Sequence, residues 1–214
     1  MKYLIIIPAR KNSKRIKNKN ILTLGKKKLI EHTIDFALKI ADPKNICVST
    51  DAIKIKKIAK KYNVYCPKLR SKKLSTADTS SADVCINEIK NYENFYKKKI
   101  KYIVLLQPTS PFRSVSLFNK TKKIFLKNHR PTYAVSKISN KKYLYSNKKK
   151  NYFLNNNKSY FEINGSMYFI SKRDILKKKS FFLFKNFNVS IFKSKKYSID
   201  IDTIYDFEHA KKFI

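Results

Sequence analysis

At residues 3–20 the chain reads YLIIIPARKNSKRIKNKN. Residues 3–7 form an uninterrupted apolar run, which is typical of a strand buried on both faces of a parallel sheet. Pro8 lacks a backbone donor and predicts the end of this strand. The cationic loop that follows would leave the carboxyl end of a first parallel strand, where open α/β proteins bind their ligands. Fixed cations beside backbone N–H groups suit a polyphosphate, although the loop holds no glycine and is therefore not a Walker A loop.

Downstream of this loop, apolar runs alternate with stretches whose apolar residues recur at helical spacing. Helices are predicted at 29–41, 52–62, 81–96, 114–127 and 203–213. Strands are predicted at 46–50, 63–66, 101–107, 132–138, 189–192 and 197–203, and the apolar pattern also resumes at 160–170. This alternation predicts an α/β fold: an open, mostly parallel sheet with helices on both faces. Asp51 is a candidate N-cap for the second helix.

The stretch at 139–159 is rich in Lys, Asn and Tyr and shows no clear period. This composition favours a short projecting loop or hairpin rather than a second domain, so we expect a single domain over residues 1–214. Gly165 is one of only two glycines in the chain. We expect it to meet a backbone need, such as a bulge, a turn or the close approach of a ligand.

The chain of 214 residues carries 50 Lys and Arg against 14 acidic residues, a formal net charge of +36. Such a charge suggests nucleic acid or an anionic membrane. Only six of the basic residues are arginine, whereas a surface that reads phosphates would use more arginine forks, so we expect neither partner. The three cysteines lack metal-ligand spacing and predict buried free thiols in a reducing compartment. With no leader-like or membrane-spanning apolar run, we expect a cytoplasmic protein.

The opening loop resembles the Ala-Arg-x-x-Ser-Lys-x-x-x-x-Lys-Asn signature of acylneuraminate (nonulosonic acid) cytidylyltransferases, which make CMP-sugars from CTP. The matching residues are Ala9, Arg10, Ser13, Lys14, Lys19 and Asn20. The resemblance implies a nucleotide-diphospho-sugar transferase-like (Rossmann-like) fold, a loop that binds the triphosphate of CTP, and a homodimer. It also implies a CMP-sugar product of the kind used for cell-surface polysaccharide.

Further stretches extend this resemblance. LLQPTSPFR at 105–113 is similar to the family's Leu-Gln-Pro-Thr-Ser-Pro-Leu-Arg; an ordinary proline turn is the alternative. With the Asn-Gly at 164–165, it implies sugar contacts from Gln107, Thr109, Ser110, Arg113, Asn164 and Gly165. STADTSS at 75–81 resembles the family's Asp-Thr-x-Ser region, which with Arg70 implies nucleotide contacts from Arg70, Thr79 and Ser80. Helix capping by Asp78 or Ser80 is the alternative there.

The segment SIDIDT at 198–203 places two carboxylates two residues apart. On a strand, Asp200 and Asp202 would point to the same side, where they repel each other unless a cation lies between them. Mg²⁺ accepts such hard oxygen ligands together with phosphate and water, and the resemblance implies this role. A strand end with solvated charges is the alternative. The catalytic residues implied are Arg10, Lys19 and Asp202.

The chain also departs from the family pattern. Lys11-Asn12 replaces a common glycine pair, Arg15-Ile16 replaces Gly-Leu or Gly-Ile, and Glu162 stands near Asn164 where a cation is more usual. We therefore expect nucleotidyl transfer to a 2-keto-3-deoxy sugar acid of sialic, pseudaminic or legionaminic type. The alternatives are a 3-deoxy-manno-octulosonate cytidylyltransferase or other sugar nucleotidyltransferase, a paralogue that binds CTP without turnover, and a basic nucleic-acid-binding protein.

Overall fold

The computed structural model describes residues 3–13, 15–138, 152–154, 160–181 and 186–214. The strands are β1 (Tyr3–Pro8), β2 (Thr23–Leu24), β3 (Lys27–Lys28), β4 (Ile46–Ser49), β5 (Tyr102–Leu105), β6 (Thr132–Ile138), β7 (Tyr152–Leu154), β8 (Tyr160–Ser171) and β9 (Asn188–Phe192). The α-helices are α1 (Leu29–Leu38), α2 (Ile53–Lys61), α3 (Ser81–Tyr96), α4 (Val115–Asn128), α5 (Lys172–Lys178) and α6 (Ile204–Lys211). Short 3-10 helices lie at Lys19–Ile21, Pro43–Asn45, Lys72–Leu74 and Lys196–Ser198.

Within the described ranges, seven strands form one sheet in the order β4-β1-β5-β8-β6-β9, and β7 pairs with β8. Strand β1 is parallel to both β4 and β5, and β6 is parallel to β9. The exception is β8, which lies antiparallel between β5 and β6. The predicted open, mostly parallel α/β sheet is confirmed. Because β8 runs backwards, its first residues reach the sheet edge where the parallel strands end.

Alternate residues of β1 bury into two different apolar layers. Ile5 and Ile7 belong to a core cluster shared with α1, α2 and α4, whereas Leu4 and Ile6 belong to a cluster shared with α3 and α5. All four side chains have no exposed surface. Full burial of one such side chain contributes about 1.5–3 kcal/mol relative to exposure. Helices on both faces are therefore what the uninterrupted apolar run of β1 requires.

Three local predictions were wrong. Residues 63–66 form only one bridge, between Cys47 and Tyr65, and Pro67 supplies no donor to extend it. Asp51 does not cap α2: its carboxylate accepts the backbone N–H of Lys11 (2.7 Å), and Ala52 occupies the N-cap position. Residues 197–203 are not a strand, since their backbone meets a loop instead of the sheet edge.

Helix α5 was not predicted. Its sequence, KRDILKK, buries only Ile175, so no periodic apolar face predicts a helix there. The predicted arm at 139–159 falls outside the described residues except for β7, so its shape stays a prediction. The three cysteines are buried and free, as expected. Over the ranges that the structure describes, no helix combines the length and the apolar character needed to cross a membrane.

Candidate active site

A cavity of about 630 Å³ opens where β1 and β5 end. Predicted residues from five separate parts of the chain line it together: Arg10, Ser13, Lys19, Asn20, Arg70, Thr79, Gln107, Thr109, Asp200 and Asp202. The carboxyl ends of parallel strands are the usual ligand edge of an open α/β sheet. The cationic loop, the proline loop and the aspartate pair therefore belong to one site. Lys14 lies outside the described residues, so its role stays a prediction.

The loop after β1 is held in place by its own predicted residues. Asn20 donates its amide to the carbonyl of Arg10 (2.9 Å), and the Arg10 guanidinium donates to the carbonyl of Thr76 (2.9 Å). Asn18 adopts a left-handed backbone (φ 55°), a conformation that asparagine tolerates better than most residues. Ala9 is fully buried, and its N–H donates to the Ser49 carbonyl, so it positions the loop without lining the cavity.

Lys19 is an enclosed cation of the site, with a side chain only 10% exposed. Its ammonium donates to the carbonyl of Ile201 (2.7 Å) and to Oδ1 of Asp202 (3.2 Å). Burying an ammonium is costly unless it is paired and hydrogen-bonded, and these two partners meet that need. Lys19 therefore ties the loop after β1 to the aspartate segment near the end of the chain.

Arg15 also pairs with Asp202, and sequence reasoning missed it as a site residue. Its Nη2 lies 2.8 Å from Oδ2 of Asp202, and it lines the same cavity. The sequence signals were its charge, in a loop already full of lysines, and its place where the family usually has glycine. A contact with a residue so far along the chain leaves no trace in local spacing.

Gly165 lies where β8 packs against the proline loop. Its φ is +71°, and a Cβ placed on it would lie 2.6 Å from Oε1 of Gln107 and 2.8 Å from Oγ of Ser110. The same Cβ would lie 3.4 Å from Oδ1 of Asp200. Position 165 thus requires glycine for two reasons, as predicted: its backbone has a positive φ, and its neighbours leave no room for a Cβ. Between the pairs Tyr133↔Tyr168 and Val135↔Ile163 the register shifts, which marks a bulge around Gly165.

Neighbouring predicted sugar residues support this packing rather than open into the large cavity. Ser110 donates to the Asn164 carbonyl (2.8 Å) and lies 3.3 Å from Oδ1 of Asp200. The Asn164 amide donates to Oγ of Ser136 (2.8 Å). Ser110 and Asn164 are both buried, so they set the positions of Gln107 and Asp200 at the cavity wall.

Arg113 is placed differently from its predicted role as a sugar contact. Its guanidinium donates to the carbonyls of Ser166 (2.8 Å) and Gln107 (2.6 Å) and to Oγ1 of Thr33 (3.2 Å). Burial lowers its pKa, and the charge of Asp200 opposes that shift. These bonds engage all three guanidinium nitrogens and hold the proline loop, and Arg113 lines a different surface groove, so its sugar contact stays a prediction.

The far end of the cavity has apolar walls from Leu74, Ala77 and Val84. Arg70 stands beside them, mostly buried, with its Nε 3.2 Å from Oγ of Ser75. Burial lowers the pKa of Arg70, and Asp51 is the main charge opposing that shift. A flat ring with polar edges would fit such a mixed surface.

Thr79 and Ser80 are adjacent in sequence but occupy different positions relative to the cavity. Thr79 lines the cavity and shares a hydrogen bond with Oγ1 of Thr76 (2.8 Å). Ser80 instead caps α3, because its Oγ accepts the N–H of Asp83 (3.0 Å). Ser80 therefore acts as a helix cap, and its nucleotide contact stays a prediction.

The two aspartates fit a metal that is shared with a substrate. Asp200 and Asp202 line one cavity although they do not lie on a strand. No group of three or more His, Cys, Asp or Glu that could hold a metal ion occurs in the described part of the chain. Mg²⁺ commonly binds through one or two carboxylates and completes its shell with substrate phosphates and water. The donor set suits this mode and not a cage made by protein alone.

A smaller cavity of about 250 Å³ adjoins the first, and Asp200 lines both. Its lining combines Glu162 and Asp206 with Lys195 and His209. One carboxylate oxygen of Asp206 is already used to cap α6 through Thr203 (2.7 Å). This mixed charge suits a ligand that carries both hydrogen-bond donors and an acid group.

Comparison with known proteins agrees with this geometry. The family model described as cytidylyltransferase matches residues 4–214. Over 143 residues the chain is 39% identical to the CMP-N,N'-diacetyllegionaminic acid synthase of Legionella pneumophila, covering 66% of this chain and 60% of that protein. Over 226 residues it is 31% identical to the N-acylneuraminate cytidylyltransferase of Streptococcus agalactiae, covering 98% of this chain and 52% of that protein. The chain thus spans between half and two thirds of these relatives' length.

Among solved structures, a CMP:2-keto-3-deoxy-manno-octonic acid synthetase complexed with CTP matches with a TM-score of 0.76. The match covers 100% of this chain and 98% of that chain at 16% sequence identity. At that identity the likeness concerns the fold.

Proposed function

The chain belongs to the cytidylyltransferase family, and on that premise we propose that it joins CTP to a 2-keto-3-deoxy sugar acid. The sugar acid is of sialic, legionaminic or pseudaminic type, and the products are a CMP-sugar and pyrophosphate. One observation carries the proposal: a single cavity brings together the cationic loop, a partly apolar end beside Arg70 and the pair Asp200 and Asp202. Relatives that act on legionaminic and N-acylneuraminic acids support the sugar class.

In the proposed reaction the anomeric hydroxyl oxygen of the sugar bonds to the α-phosphorus of CTP. The bond from that phosphorus to the bridging oxygen breaks, pyrophosphate leaves, and the hydroxyl proton passes to solvent. Arg10 and Lys19 neutralise the triphosphate and the charge that builds on the leaving group, while Ser13 donates a hydrogen bond. No nucleophilic side chain is needed, because positioning and electrostatics carry such a transfer.

Asp200 and Asp202 would hold Mg²⁺, which when bound supplies Lewis-acid polarisation of a phosphate oxygen. Gln107 and Thr109, at the same wall, would orient the sugar hydroxyls. The smaller cavity beyond Asp200 would take the rest of the sugar, with Lys195 near its carboxylate and Glu162 near its hydrogen-bond donors. A homodimer, which the family resemblance implies, and a cytoplasmic location, which the apolar pattern of the sequence leads us to expect, remain part of this proposal.

Pyrophosphate release with CTP, Mg²⁺ and a panel of nonulosonic and octulosonic acids tests the proposal. We expect release with a nonulosonic acid, and none when the sugar is omitted or CTP is replaced by ATP. Release only with 3-deoxy-manno-octulosonate would favour the alternative enzyme. CTP binding without turnover on any sugar would indicate a binding paralogue. Light scattering on the purified chain tests the dimer.

A further inference from the structure

The carboxylate of Asp202 faces two different cations, one on each oxygen. Lys19 lies 3.2 Å from Oδ1, and Arg15 lies 2.8 Å from Oδ2. The backbone of Asp202 is also fixed in place, because its N–H donates to the carboxylate of Asp206 (3.0 Å). Both carboxylate oxygens of Asp202 are therefore already engaged by protein cations.

The two cations differ in how firmly they are held. Lys19 is 10% exposed and has a second partner in the Ile201 carbonyl, so it is anchored. The Arg15 side chain is 60% exposed, and its one ion-pair partner among the residues that the structure describes is Asp202. An ion pair this exposed contributes only about 0–1 kcal/mol, so it breaks readily. Of the two, Arg15 is the cation that can leave.

A divalent cation bound at Oδ2 would repel the Arg15 guanidinium. A magnesium ion would sit about 2.1 Å from the oxygen, which would place its charge within about 5 Å of the guanidinium. We propose that Arg15 is a positioning residue that occupies Oδ2 of Asp202 in the nucleotide-free protein and moves to a phosphate of the nucleotide when a divalent metal takes that oxygen. This inference rests on the proposed function.

The destination of the guanidinium lies in the same cavity. Arg15 lines it together with Arg10 and Ser13, the residues proposed to face the triphosphate. A guanidinium fork matches phosphate oxygens as well as it matches a carboxylate. One exchange then places a metal on Asp202 and a cation on the phosphates. Metal and nucleotide must consequently assist each other's binding, beyond the chelation they show in water.

A titration of the full chain with Mn²⁺, in the absence of nucleotide and sugar, tests the inference. The EPR signal of free Mn²⁺ reports how much of the metal remains unbound. Arg15→Gln keeps much of the side-chain length but removes the charge, and we expect it to tighten Mn²⁺ binding about three- to fivefold. Lys17→Gln is the matched control, since Lys17 is exposed in the same loop and does not line the cavity. The control should stay within about twofold of the parent.

A second mutant background separates the effect of the Arg15–Asp202 ion pair from the general effect of removing one positive charge. In Asp202→Asn, the further change Arg15→Gln should leave the Mn²⁺ affinity unchanged. In the presence of saturating Mg²⁺, Arg15→Gln alone should weaken CTP binding, because the phosphate partner is lost.

Three results would overturn the inference: unchanged or weaker Mn²⁺ binding in Arg15→Gln, equal tightening in Lys17→Gln, or tightening that persists in Asp202→Asn. Since the titration contains neither CTP nor sugar, its outcome is independent of turnover. Failure of the proposed reaction on every sugar would therefore be seen separately.

Discussion

Replacing Gly165 by alanine should damage both the stability and the activity of the site. The added Cβ would lie 2.6 Å from Oε1 of Gln107 and 2.8 Å from Oγ of Ser110, so both groups must move. The positive φ of +71° adds a backbone penalty of about 1–2 kcal/mol for any residue with a Cβ. Overpacking of a closely packed site adds about 1–3 kcal/mol more.

The other glycine provides a matched control. Gly25 has nearly the same backbone conformation, with φ +62°. Its added Cβ would meet the side chain of Ile214, which is 61% exposed and free to move. Both alanine variants therefore carry the same backbone penalty, and only Gly165→Ala disturbs the site. The difference between them measures the close packing alone.

Thermal unfolding and steady-state kinetics read out the two effects. The difference of about 1–3 kcal/mol corresponds to a Tm lower by about 2–12 °C in Gly165→Ala than in Gly25→Ala. Displacing Gln107 and Asp200 by a fraction of an ångström should also lower kcat/KM about 10–100-fold, whereas Gly25→Ala should leave it unchanged. Equal Tm values and equal kcat/KM for the two variants would refute the reasoning.

Three further predictions follow from the site and its surroundings. Asp202→Asn should abolish turnover at every Mg²⁺ concentration and lower the free energy of unfolding by about 1–2 kcal/mol, because the buried Lys19 loses its counterion; kinetic curves that match the parent's would contradict the metal site. Lys19→Ala should lower kcat/KM by at least about 30-fold, the loss of one charged donor to the transition state, and unchanged kinetics would mean that the phosphates bind elsewhere. Burial raises the pKa of Cys47 and Cys85, and that of Cys66 to about 11. In the unfolded chain these thiols ionise first, so their contribution to stability is complete below about pH 8 and is lost as the pH rises above it. The Tm should thus fall between pH 8 and pH 10, and iodoacetamide should label the thiols at pH 8 only after unfolding; rapid labelling of the folded chain would contradict this.

Local patterns were sufficient for most of the fold. The apolar run at 3–7 requires cover on both faces, and the structure supplies helices on both sides of β1. Element type and order were predictable because amphipathic periodicity and turn residues act over a few neighbouring positions. Signals of that range fail for α5, which buries a single residue, and for 197–203, whose hydrogen-bond partners lie in a distant loop.

The candidate site divides in the same way. Motif residues such as Arg10, Lys19 and Gln107 could be named from the chain alone, because their spacing within each loop is local. Only the tertiary structure separated Ser80, a helix cap, and Arg113, a loop support, from the residues that line the cavity.

The sequence by itself determined the α/β architecture, the loops at its ligand edge and the residue types that those loops present. The tertiary structure decided which side chains meet. Arg15 faces Asp202 because the sheet brings the loop after β1 beside the segment before α6, and Gly165 touches Gln107 because β8 runs backwards with a bulge. Such contacts depend on how segments far apart in the sequence are placed in three dimensions. Local residue spacing carries no information about that placement.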